Sequence, residues 1–438
     1  MSDIQERMEE FGVIWFDGKK IDEAAFCAEF IKDFPMLCIN DTFFTVNGMV
    51  RDESRMRQEI YNRIKPYVTT GISKKVGNLV DVLKLECAAR SIPIYLDRIH
   101  VKNGTYFLDG TFTDKKDFCR NRLPVAYNPD APKPETWLRF LSELLNDEDI
   151  PTLQEFMGYC LIPSTKGQKM LIITGKGGEG KSRIGVVLRA LLGTNMSTGS
   201  IAKIETSPFA RADLEHELVL LDDDMKLEAL PQTNNIKAII TAELPMDLEK
   251  KGKQSYQGDM YVRFLALGNG TLQSLYDRSI GFFRRQIILT AKEKASDRRD
   301  DPFIADKMCR EAEGIFLWAL DGLHRLIQND YKFTVSEAAK ANMEAAVTDG
   351  NNVIEFLASE GYIQFNPDST VSSKDLYAVY KLWCEDNALA PLAQKSFCSY
   401  LKQNESSYRI RYTNKVNIGR GKYVRGFVGM AILQRPFL

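Results

Sequence analysis

The sequence predicts an α/β fold built on a central parallel sheet, and three observations carry this prediction. Four apolar segments lack clean alternation, as parallel strands buried on both faces do: 169–174, 217–224, 261–269 and 284–291. Segments with helical periodicity separate them, and one of these, 182–193, ends on Gly193. A glycine-rich turn joins the first strand to that helix. Strands that alternate with helices are typical of a parallel sheet covered by helices.

The composition limits the class of protein. A chain of 438 residues is too long for one hydrophobic core, so we expect two to four domains. No apolar run approaches the roughly 20 residues needed to cross a bilayer. The first segment, MSDIQERMEEFG, is charged and lacks the apolar centre of a signal peptide. We therefore expect a soluble, cytoplasmic protein.

The cysteines and charges narrow the choice of partners. Eight cysteines include no Cys-x-x-Cys pair, and with only three histidines we expect neither a zinc site nor a disulfide framework. The 58 basic and 59 acidic residues nearly cancel, but no acidic residue follows Glu405. The tail after it carries Arg409, Arg411, Lys415, Arg420, Lys422, Arg425 and Arg435. Such a tail predicts a local anion-binding surface, for which nucleic acid is the usual partner.

The regions on either side of the predicted sheet differ in pattern. The first 90 residues mix helical periodicity with strand-like pieces such as 42–50, and residues 92–112 predict short strands with turns at Asn103-Gly104 and Asp109-Gly110. A helical zone follows, and one long helix over 304–328 is predicted to close the core. Beyond a hinge at 348–352, three helices and a basic hairpin around Asn417–Gly419 suit a winged helix. The predicted domains are 1–95, 96–160 (a mainly helical collar), 161–347 and 353–438.

The turn GKGGEGKS, residues 175–182, fits the pattern G-x-x-x-x-G-K-[ST] between a strand and a helix. Its glycines let backbone N–H groups close on phosphate oxygens, and the helix start adds a partial positive charge. We expect Lys181 to reach the β- and γ-phosphates and Ser182 to hold Mg²⁺. The predicted nucleotide-binding residues are Gly175, Gly177, Gly178, Glu179, Gly180, Lys181 and Ser182. Whether the side chains of Lys176 and Glu179 face a neighbouring subunit or only water stays open.

Polar residues at the ends of the other strands complete the predicted site. Asp222 is expected to bind Mg²⁺ through water, and Asp223 to orient or deprotonate the attacking water, although Asp224 leaves a shift of one residue open. Asn269 is expected to sense the γ-phosphate, the alternative being a simple Asn-Gly turn. Arg284 and Arg285 are expected to stabilise transition-state charge in a neighbouring subunit, the alternative being a surface pair.

The order of these motifs and their compact spacing resemble a known family. Lys181 and Asp222 are 41 positions apart (222 − 181), and Gly175 and Asn269 are 94 apart (269 − 175). With LPVAYNPDAPKPETWLRFL, LQEFMGYCLIP, DRSIGFFRR, GIFLWALDGLHRL and LYAVYKLWCEDN in sequence order, the chain resembles the superfamily 3 helicases of phages, plasmids and large DNA viruses over roughly residues 35–438. Within that family it looks most like the phage and plasmid primase-helicases related to the poxvirus uncoating NTPase. The resemblance implies an AAA+ P-loop ATPase core in hexameric rings, with a helical collar before it and a winged helix after it.

The resemblance also implies roles for two basic segments. Residues 247–259 correspond to a hairpin that enters the ring channel and grips DNA, which makes Lys250, Lys251 and Lys253 candidate phosphate contacts. A solvated charged turn is the alternative. The sequence departs from the family pattern in two ways. It leaves too little length ahead of the helicase region for a primase domain, so we do not expect primer synthesis, and Gly-Thr-Leu follows Asn269 where a proline-containing run is more usual.

The C-terminal segment is predicted to contact DNA through a recognition helix and a wing. The helix 394–404 carries Lys395 and Lys402. The wing supplies Arg409, Arg411, Lys415, Arg420 and Lys422. Tyr412 and Tyr423 are expected to lie against sugar or base, or else in the core. A module that docks another protein is the alternative.

Taken as a set, the motifs favour an ATP-dependent replicative DNA helicase of a phage, plasmid or other mobile element. We expect ATP and Mg²⁺ as cofactors, single-stranded or forked DNA as the substrate, a homo-hexamer, and a separate primase or initiator protein as a further partner. An ATP-switched protein that binds an origin or loads a helicase is the alternative. A small-molecule kinase would need neither the arginine pair nor the lysine turn nor a winged helix.

Overall fold

The computed structural model describes residues 10–225, 233–252, 254–269, 280–295, 300–349, 352–389, 391–419 and 421–433. The chain divides into a larger compact unit (Met1–Leu272 with Arg285–Lys340) and a smaller one (Gln273–Arg284 with Ala341–Leu438). Within the described ranges no helix combines the length and the apolar character needed to cross a membrane.

The first part of the larger unit has its own hydrophobic core, formed by residues such as Trp15, Phe30, Phe43 and Leu83. Its three strands pair antiparallel in the order β1-β2-β3. The elements are α1 (Glu23–Asp33), β1 (Met36–Ile39), β2 (Thr42–Thr45), β3 (Gly48–Met49), α2 (Ser54–Ile64) and α3 (Ile72–Glu86). Asp22 caps α1, since its carboxylate accepts a hydrogen bond of 3.1 Å from the Ala25 N–H. The predicted mixture of helices and short strands is therefore observed here.

The next stretch combines a small sheet with two helices. It contains β4 (Arg98–Val101), β5 (Gly104–Phe107), β6 (Phe112–Thr113), α4 (Glu135–Leu144) and α5 (Ile150–Tyr159). The short strands expected in 92–112 are confirmed. Gly104 has to be glycine because a Cβ there would lie 2.1 Å from the Thr113 carbonyl oxygen on β6.

The centre of the larger unit is a five-stranded parallel sheet in the order β13-β7-β12-β9-β8. The four apolar segments of the sequence form four of its strands, and β8 is a fifth that the sequence pattern did not reveal. Two short strands, β10 and β11, form a separate antiparallel hairpin. The elements are β7 (Met170–Thr174), α6 (Ser182–Leu192), β8 (Met196–Thr198), α7 (Ile201–Thr206), α8 (Pro208–Ala212), β9 (Val219–Met225), α9 (Asn234–Ile240), β10 (Met246–Leu248), β11 (Tyr256–Gly258) and β12 (Arg263–Gly268), followed by β13 (Gln286–Thr290), α11 (Ile304–Arg310) and α12 (Ala312–Gln328). Between β12 and β13 the chain forms α10 (Ile280–Phe283), which belongs to the smaller unit.

One hydrophobic core joins this sheet to α4, α5 and α12. Val101, Trp137, Phe156, Leu265 and Phe316 all belong to it, so residues of the predicted collar and of the predicted sheet domain pack together. The domain boundaries themselves stay predictions.

The long helix predicted over 304–328 is two helices, α11 and α12, separated at Glu311. At this break the Glu311 carboxylate accepts hydrogen bonds of 3.0 Å from the backbone N–H groups of Thr136 and Trp137, in the first turn of α4. Those N–H groups have no partner within their own helix. The interruption therefore coincides with a tertiary contact that periodicity along one segment does not reveal.

The smaller unit contains a three-stranded antiparallel sheet, in the order β14-β16-β15, packed with helices around Phe356, Tyr380, Phe397 and Phe427. The predicted basic hairpin is observed as β15 and β16, whereas β14 was not predicted. The remaining elements are α13 (Glu337–Asp349), α14 (Asn352–Ala358), β14 (Ile363–Ser372), α15 (Ser373–Asp386), α16 (Gln394–Gln403), α17 (Glu405–Tyr408), β15 (Arg411–Asn417) and β16 (Tyr423–Ile432). Part of the predicted hinge, residues 350 and 351, lies outside the described residues.

Candidate functional site

The glycine-rich loop, residues 175–181, runs from the end of β7 to the start of α6. Gly177, Gly178 and Gly180 have φ values of +109°, +83° and +102°, which residues with a side chain rarely adopt. The Gly175 N–H donates a hydrogen bond of 3.1 Å to the Gly268 carbonyl at the end of β12. Because of this bond, the loop begins at a fixed point on the carboxyl edge of the sheet.

A cavity of about 820 Å³ opens at this edge, because the carboxyl ends of parallel strands meet on one side of a sheet. The loop, the end of β9 and the end of β12 all contribute to its wall, and α4 and residues 300–304 add the rest. The described residues with polar or charged side chains that line it are Arg139, Glu143, Glu179, Lys181, Ser182, Arg183, Asp223, Asp224, Asn269, Asp300 and Asp301.

Glu179 points inward, against the backbone of its own loop. Only 3% of its side chain is exposed, and its Oε2 accepts a hydrogen bond of 2.6 Å from Lys181 Nζ. Its Oε1 accepts from the N–H of Gly177 at 2.7 Å and from the N–H of Lys176. Burial raises the pKa of Glu179, but the hydrogen bonds from Lys181 and from the backbone outweigh burial and hold this pKa below its usual value. Glu179 is therefore a charged internal partner of the loop.

Lys176 has a different surrounding. Its side chain is 80% exposed, and its ammonium group pairs with the exposed carboxylate of Glu293, which follows β13. The two side chains, which the sequence analysis treated alike, therefore have different partners within the chain. Glu179 bonds to the loop, and Lys176 bonds to Glu293 on the surface.

The acidic residues at the end of β9 divide between two environments. Asp222 is 7% exposed, and its Oδ2 accepts a hydrogen bond of 2.8 Å from the Ile201 N–H at the start of α7. Burial raises the pKa of this carboxyl group. Asp223 and Asp224 are exposed, and both line the cavity.

Asp222 is not among the residues that line the cavity with Lys181 and Ser182, and its role toward Mg²⁺ stays a prediction. Successive residues of a strand face opposite sides of the sheet, and the register between β9 and β12 shifts between Ala266 and Gly268. The shift leaves two consecutive aspartates, not one, at the cavity. Asp223 and Asp224 therefore present their carboxylates at the cavity, and which aspartate holds a metal or a water molecule stays a prediction.

Asn269 lies between the glycine-rich loop and the two aspartates. It directly follows β12, which separates β7 from β9 in the sheet. A Cβ on Gly177 would be 3.9 Å from its Nδ2. The structure thus brings Asn269 together with Lys181, Ser182 and Asp223, as the sequence predicted.

Arg284 and Arg285 are at the opposite edge of the sheet. They directly precede β13, which pairs with β7 in parallel, so that Gln286 is opposite Met170 and Thr290 is opposite Thr174. The Arg285 carbonyl accepts a hydrogen bond of 2.8 Å from the Met170 N–H, at the start of β7. The loop follows the other end of β7, about 15 Å away at 3.3 Å per residue. The structure therefore does not bring Arg285 to the cavity of its own chain.

The predicted hairpin in 247–259 is formed by β10 and β11, but its lysines are not equivalent. Lys250 Nζ donates a hydrogen bond of 3.0 Å to Glu215 and lies 5.0 Å from the centre of the Tyr256 ring. The Tyr256 hydroxyl donates to the same carboxylate at 2.6 Å. Lys251 is exposed, and Lys253 lies outside the described residues. Lys250 therefore anchors the hairpin, which makes it a weaker candidate for contact with a ligand than the sequence indicated.

The basic residues predicted in the smaller unit are on its surface. Lys395 on α16 is exposed, and so are Arg409, Arg411, Lys415 and Lys422 around the β15–β16 hairpin, while Arg420 lies outside the described residues. Tyr412 packs edge-on against Phe427, with ring centres 5.6 Å apart, and carries Lys402 Nζ 3.6 Å above its other face. Tyr423 is 60% exposed. Tyr412 therefore packs against the core of the smaller unit, whereas Tyr423 lies on its surface.

Several residues at the cavity were missed by the sequence analysis. Arg139 and Glu143 come from α4, and Asp300 and Asp301 precede α11. Glu143, Asp300 and Asp301 belong to none of the quoted motifs, and Arg139 lies in LPVAYNPDAPKPETWLRFL without a role assigned to it. Each reaches the cavity through tertiary packing, which no local pattern reveals. Among the described residues, no group of three or more His, Cys, Asp or Glu side chains is placed to hold a metal ion.

Two family descriptions match parts of the chain. Residues 24–146 match the family "D5 N terminal like". Residues 173–285, which contain the glycine-rich loop and the strands β8, β9 and β12, match a family of unknown function, DUF5906.

The fold is similar to that of solved structures of the NrS-1 C-terminal region. An A-form apo structure of its residues 305–718 shares 12% identity with a TM-score of 0.50, over 92% of this chain and 98% of that one. A further apo structure of the same region gives 13% identity and a TM-score of 0.50, over 92% and 97% of the two chains. At this level of identity the likeness concerns the fold alone.

Proposed function

We propose that this protein is an ATP-dependent replicative DNA helicase of a phage, plasmid or other mobile element, with an AAA+ core of the superfamily 3 type that works as a homo-hexameric ring. One observation carries the proposal. The glycine-rich loop, Asp223 and Asp224, and Asn269 come from three separate segments of the chain and line one cavity at the carboxyl edge of a parallel sheet. The donor set matches a nucleoside triphosphate, which is the substrate we assign to the cavity.

Each residue at the cavity has a role in this proposal. The N–H groups of the loop and the Lys181 ammonium bind the phosphates, and Asn269 orients water near the γ-phosphate. The Ser182 hydroxyl and the carboxylates of Asp223 and Asp224 are oxygen ligands of the kind that Mg²⁺ prefers, and they line the same cavity. When it is bound, Mg²⁺ neutralises part of the negative charge of the phosphates. One of the two aspartates remains available to accept the proton of the attacking water.

The charges around the cavity support a further cation from a neighbouring subunit. Six of the described lining residues carry carboxylates and three are cationic. Asp300 and Asp301 pair with Lys294 and Lys307, which do not line the cavity, at 2.6 Å each. A triphosphate needs additional positive charge in such a site. In the proposal, Arg284 and Arg285 supply this charge to the next subunit of a ring.

The basic surfaces support DNA as the polymer that is moved. Lys251 is exposed near the end of the β10–β11 hairpin, and phosphate contacts of this kind need no base recognition. The proposed winged helix of the smaller unit presents Lys395, Lys415 and Lys422 on its surface. In the proposal, hydrolysis moves the hairpins of the ring along single-stranded or forked DNA, and a separate primase or initiator protein is a further partner.

Strand displacement tests the proposal directly. We expect the wild-type chain to unwind a forked duplex when ATP and Mg²⁺ are present, and Lys181→Ala to lose unwinding by at least 100-fold while it keeps its fold. Lys176→Ala is the matched control, since it removes a lysine of the same loop that pairs with Glu293 on the surface. Absence of ATP-dependent unwinding by wild-type rings assembled on DNA would rule the proposal out.

An ATP-switched origin-binding protein is the second candidate, and the exposed basic residues around the β15–β16 hairpin favour it. Such a switch needs nucleotide occupancy but no turnover, and it binds duplex DNA selectively. Asp223→Asn separates the two candidates. If this variant binds DNA normally but no longer supports replication of the element, turnover is required and the pure switch is excluded.

A further inference from the structure

We infer that Glu179 is a built-in competitor for the phosphate site: its carboxylate occupies the donors that a phosphate group needs, and it has to leave when the nucleotide binds. This inference rests on the proposed nucleotide-binding function and goes beyond it, because it assigns to one side chain the control of affinity. It concerns the interior of the glycine-rich loop, where the expected ligand and an internal carboxylate compete for the same atoms.

The first observation is that the donors converge on one carboxylate. The N–H groups of Lys176 and Gly177 and the ammonium of Lys181 all donate to Glu179. A hydrogen-bonded array of successive backbone N–H groups with a lysine is the arrangement that binds phosphate oxygens in loops of this type. Glu179 thus holds with its two oxygens the positions that two phosphate oxygens would take.

The second observation is that the side chains of Glu179 and Lys181 lie directly against Gly175, at the start of the loop. A Cβ placed on Gly175 would lie 2.7 Å from Glu179 Oε1 and 2.8 Å from Lys181 Nζ. The Glu179 side chain is 3% exposed and that of Lys181 is 8% exposed. A phosphate group therefore cannot reach these donors while the carboxylate remains in place.

The third observation is that no other described cation of the loop is directed at the same point. The Lys176 ammonium pairs with Glu293 on the surface. With Glu179 in place, the charge of Lys181 is balanced, and the described lining of the cavity as a whole carries six carboxylates against three cations. Electrostatics then disfavour a free phosphate and favour one that arrives together with a divalent cation.

These observations predict how Glu179 controls the affinity of the loop for a nucleotide. In Glu179→Gln the side chain keeps its volume but loses the charge that holds Lys181. We expect the dissociation constant for an ATP analogue that resists hydrolysis, measured by calorimetry with Mg²⁺, to fall by about tenfold, which corresponds to 1.4 kcal/mol. We expect inorganic pyrophosphate without Mg²⁺ to bind measurably to Glu179→Gln and at least tenfold more weakly to the wild type.

The control is Glu293→Gln, which removes the surface partner of Lys176 and leaves the donors of the loop unchanged. We expect it to bind both probes as the wild type does. Glu179→Ala is a second variant that removes the competing carboxylate altogether, and it too should bind more tightly if it keeps its melting temperature.

The outcomes separate the two claims. If the wild type binds the nucleotide and both Glu179 variants, shown to be folded, bind it equally or more weakly, the competitor role is wrong and the proposed function stands. If no folded variant and no wild-type protein binds nucleotide at any Mg²⁺ concentration, the proposed function fails. Tighter binding by Glu179→Gln with an unchanged Glu293→Gln supports the inference.

Discussion

The carboxylate of Asp222 accepts a hydrogen bond of 2.8 Å from the backbone N–H of Ile201, the first residue of α7. Asp222 is not among the residues that line the cavity, whereas the next two aspartates are. Three consecutive acidic residues at one strand end therefore have two different tasks. The first satisfies a helix start that would otherwise leave a backbone donor without a partner, and the other two face the proposed nucleotide.

The division among the aspartates predicts separate effects on stability and on turnover. Asp222→Ala leaves the Ile201 N–H without its buried acceptor, so we expect the free energy of unfolding to fall by about 1–3 kcal/mol. Asp223→Asn and Asp224→Asn should keep the stability of the wild type and lower ATP turnover by at least tenfold. Urea unfolding and a phosphate-release assay measure the two effects. Asp222→Asn, which keeps an acceptor oxygen, is the control, and loss of turnover in that variant at unchanged stability would restore the register first predicted.

The position of the arginine pair predicts that activity is shared between subunits. Lys181→Ala and Arg285→Ala should each hydrolyse ATP at least tenfold more slowly than the wild type. Mixed in equal amounts before ring assembly, they should recover part of the activity, because some interfaces then combine an intact loop with an intact arginine. Arg284→Ala, tested in the same way, shows which arginine acts.

A second mixture provides the control for this experiment. Lys181→Ala and Asp223→Asn remove groups from the same side of the proposed interface, so no mixed ring contains an intact site and no activity should return. Recovery in the control mixture as well would show that the arginines do not act between subunits.

The two described lysines of the β10–β11 hairpin should differ in what they do. Lys251→Ala removes an exposed charge, so we expect weaker binding of single-stranded DNA and a salt dependence lower by about 0.7 in the slope of log K against log salt. Lys250→Ala removes the partner of Glu215 and should lower the free energy of unfolding by about 1 kcal/mol. Fluorescence anisotropy at several salt concentrations and urea unfolding distinguish the two. Lys74→Ala, on the exposed face of α3, controls for loss of one positive charge, and an equal effect of it on DNA binding would argue against the hairpin.

Two buried histidines predict a loss of stability in mild acid. Burial lowers the pKa of His100 and of His216 to about 4, whereas an unfolded histidine titrates near 6.5. Between these values the unfolded chain binds more protons than the folded chain, so stability is present above pH 6.5 and falls as the pH decreases toward 4. At pH 5.5 each histidine should cost on the order of 1 kcal/mol.

Urea unfolding at pH 7.5 and pH 5.5 checks this expectation. His216→Gln keeps a side chain that can accept the hydrogen bond which His216 Nδ1 receives from Arg120 at 3.2 Å, and it does not titrate. It should therefore lose less stability between the two pH values than the wild type does. An identical loss in the wild type, in His216→Gln and in His100→Gln would show that other groups control the acid response.

Local patterns predicted the strands that lie deep in the protein and failed for those at its edges. The strands β7, β9, β12 and β13 are largely buried on both faces, so that most of their residues are apolar and the sequence shows a continuous apolar run in each. The strand β8 has only three residues, and β14 is mostly exposed along its centre, so neither carries a run long enough to be recognised. Both depend on a partner strand that is distant in sequence.

The sequence by itself determined the glycine-rich loop, its position between a strand and a helix, and the polar residues at the ends of three strands, because these depend on neighbouring residues and on backbone conformation. The tertiary structure decided which aspartates line the cavity, that Lys250 anchors its hairpin to Glu215, and that Glu179 binds its own loop. These features depend on the register between strands, on contacts between side chains from separate segments, and on the folded conformation of the glycine-rich loop. A strand shifted by one residue turns each side chain to the other face of the sheet, and no single segment of sequence records that shift.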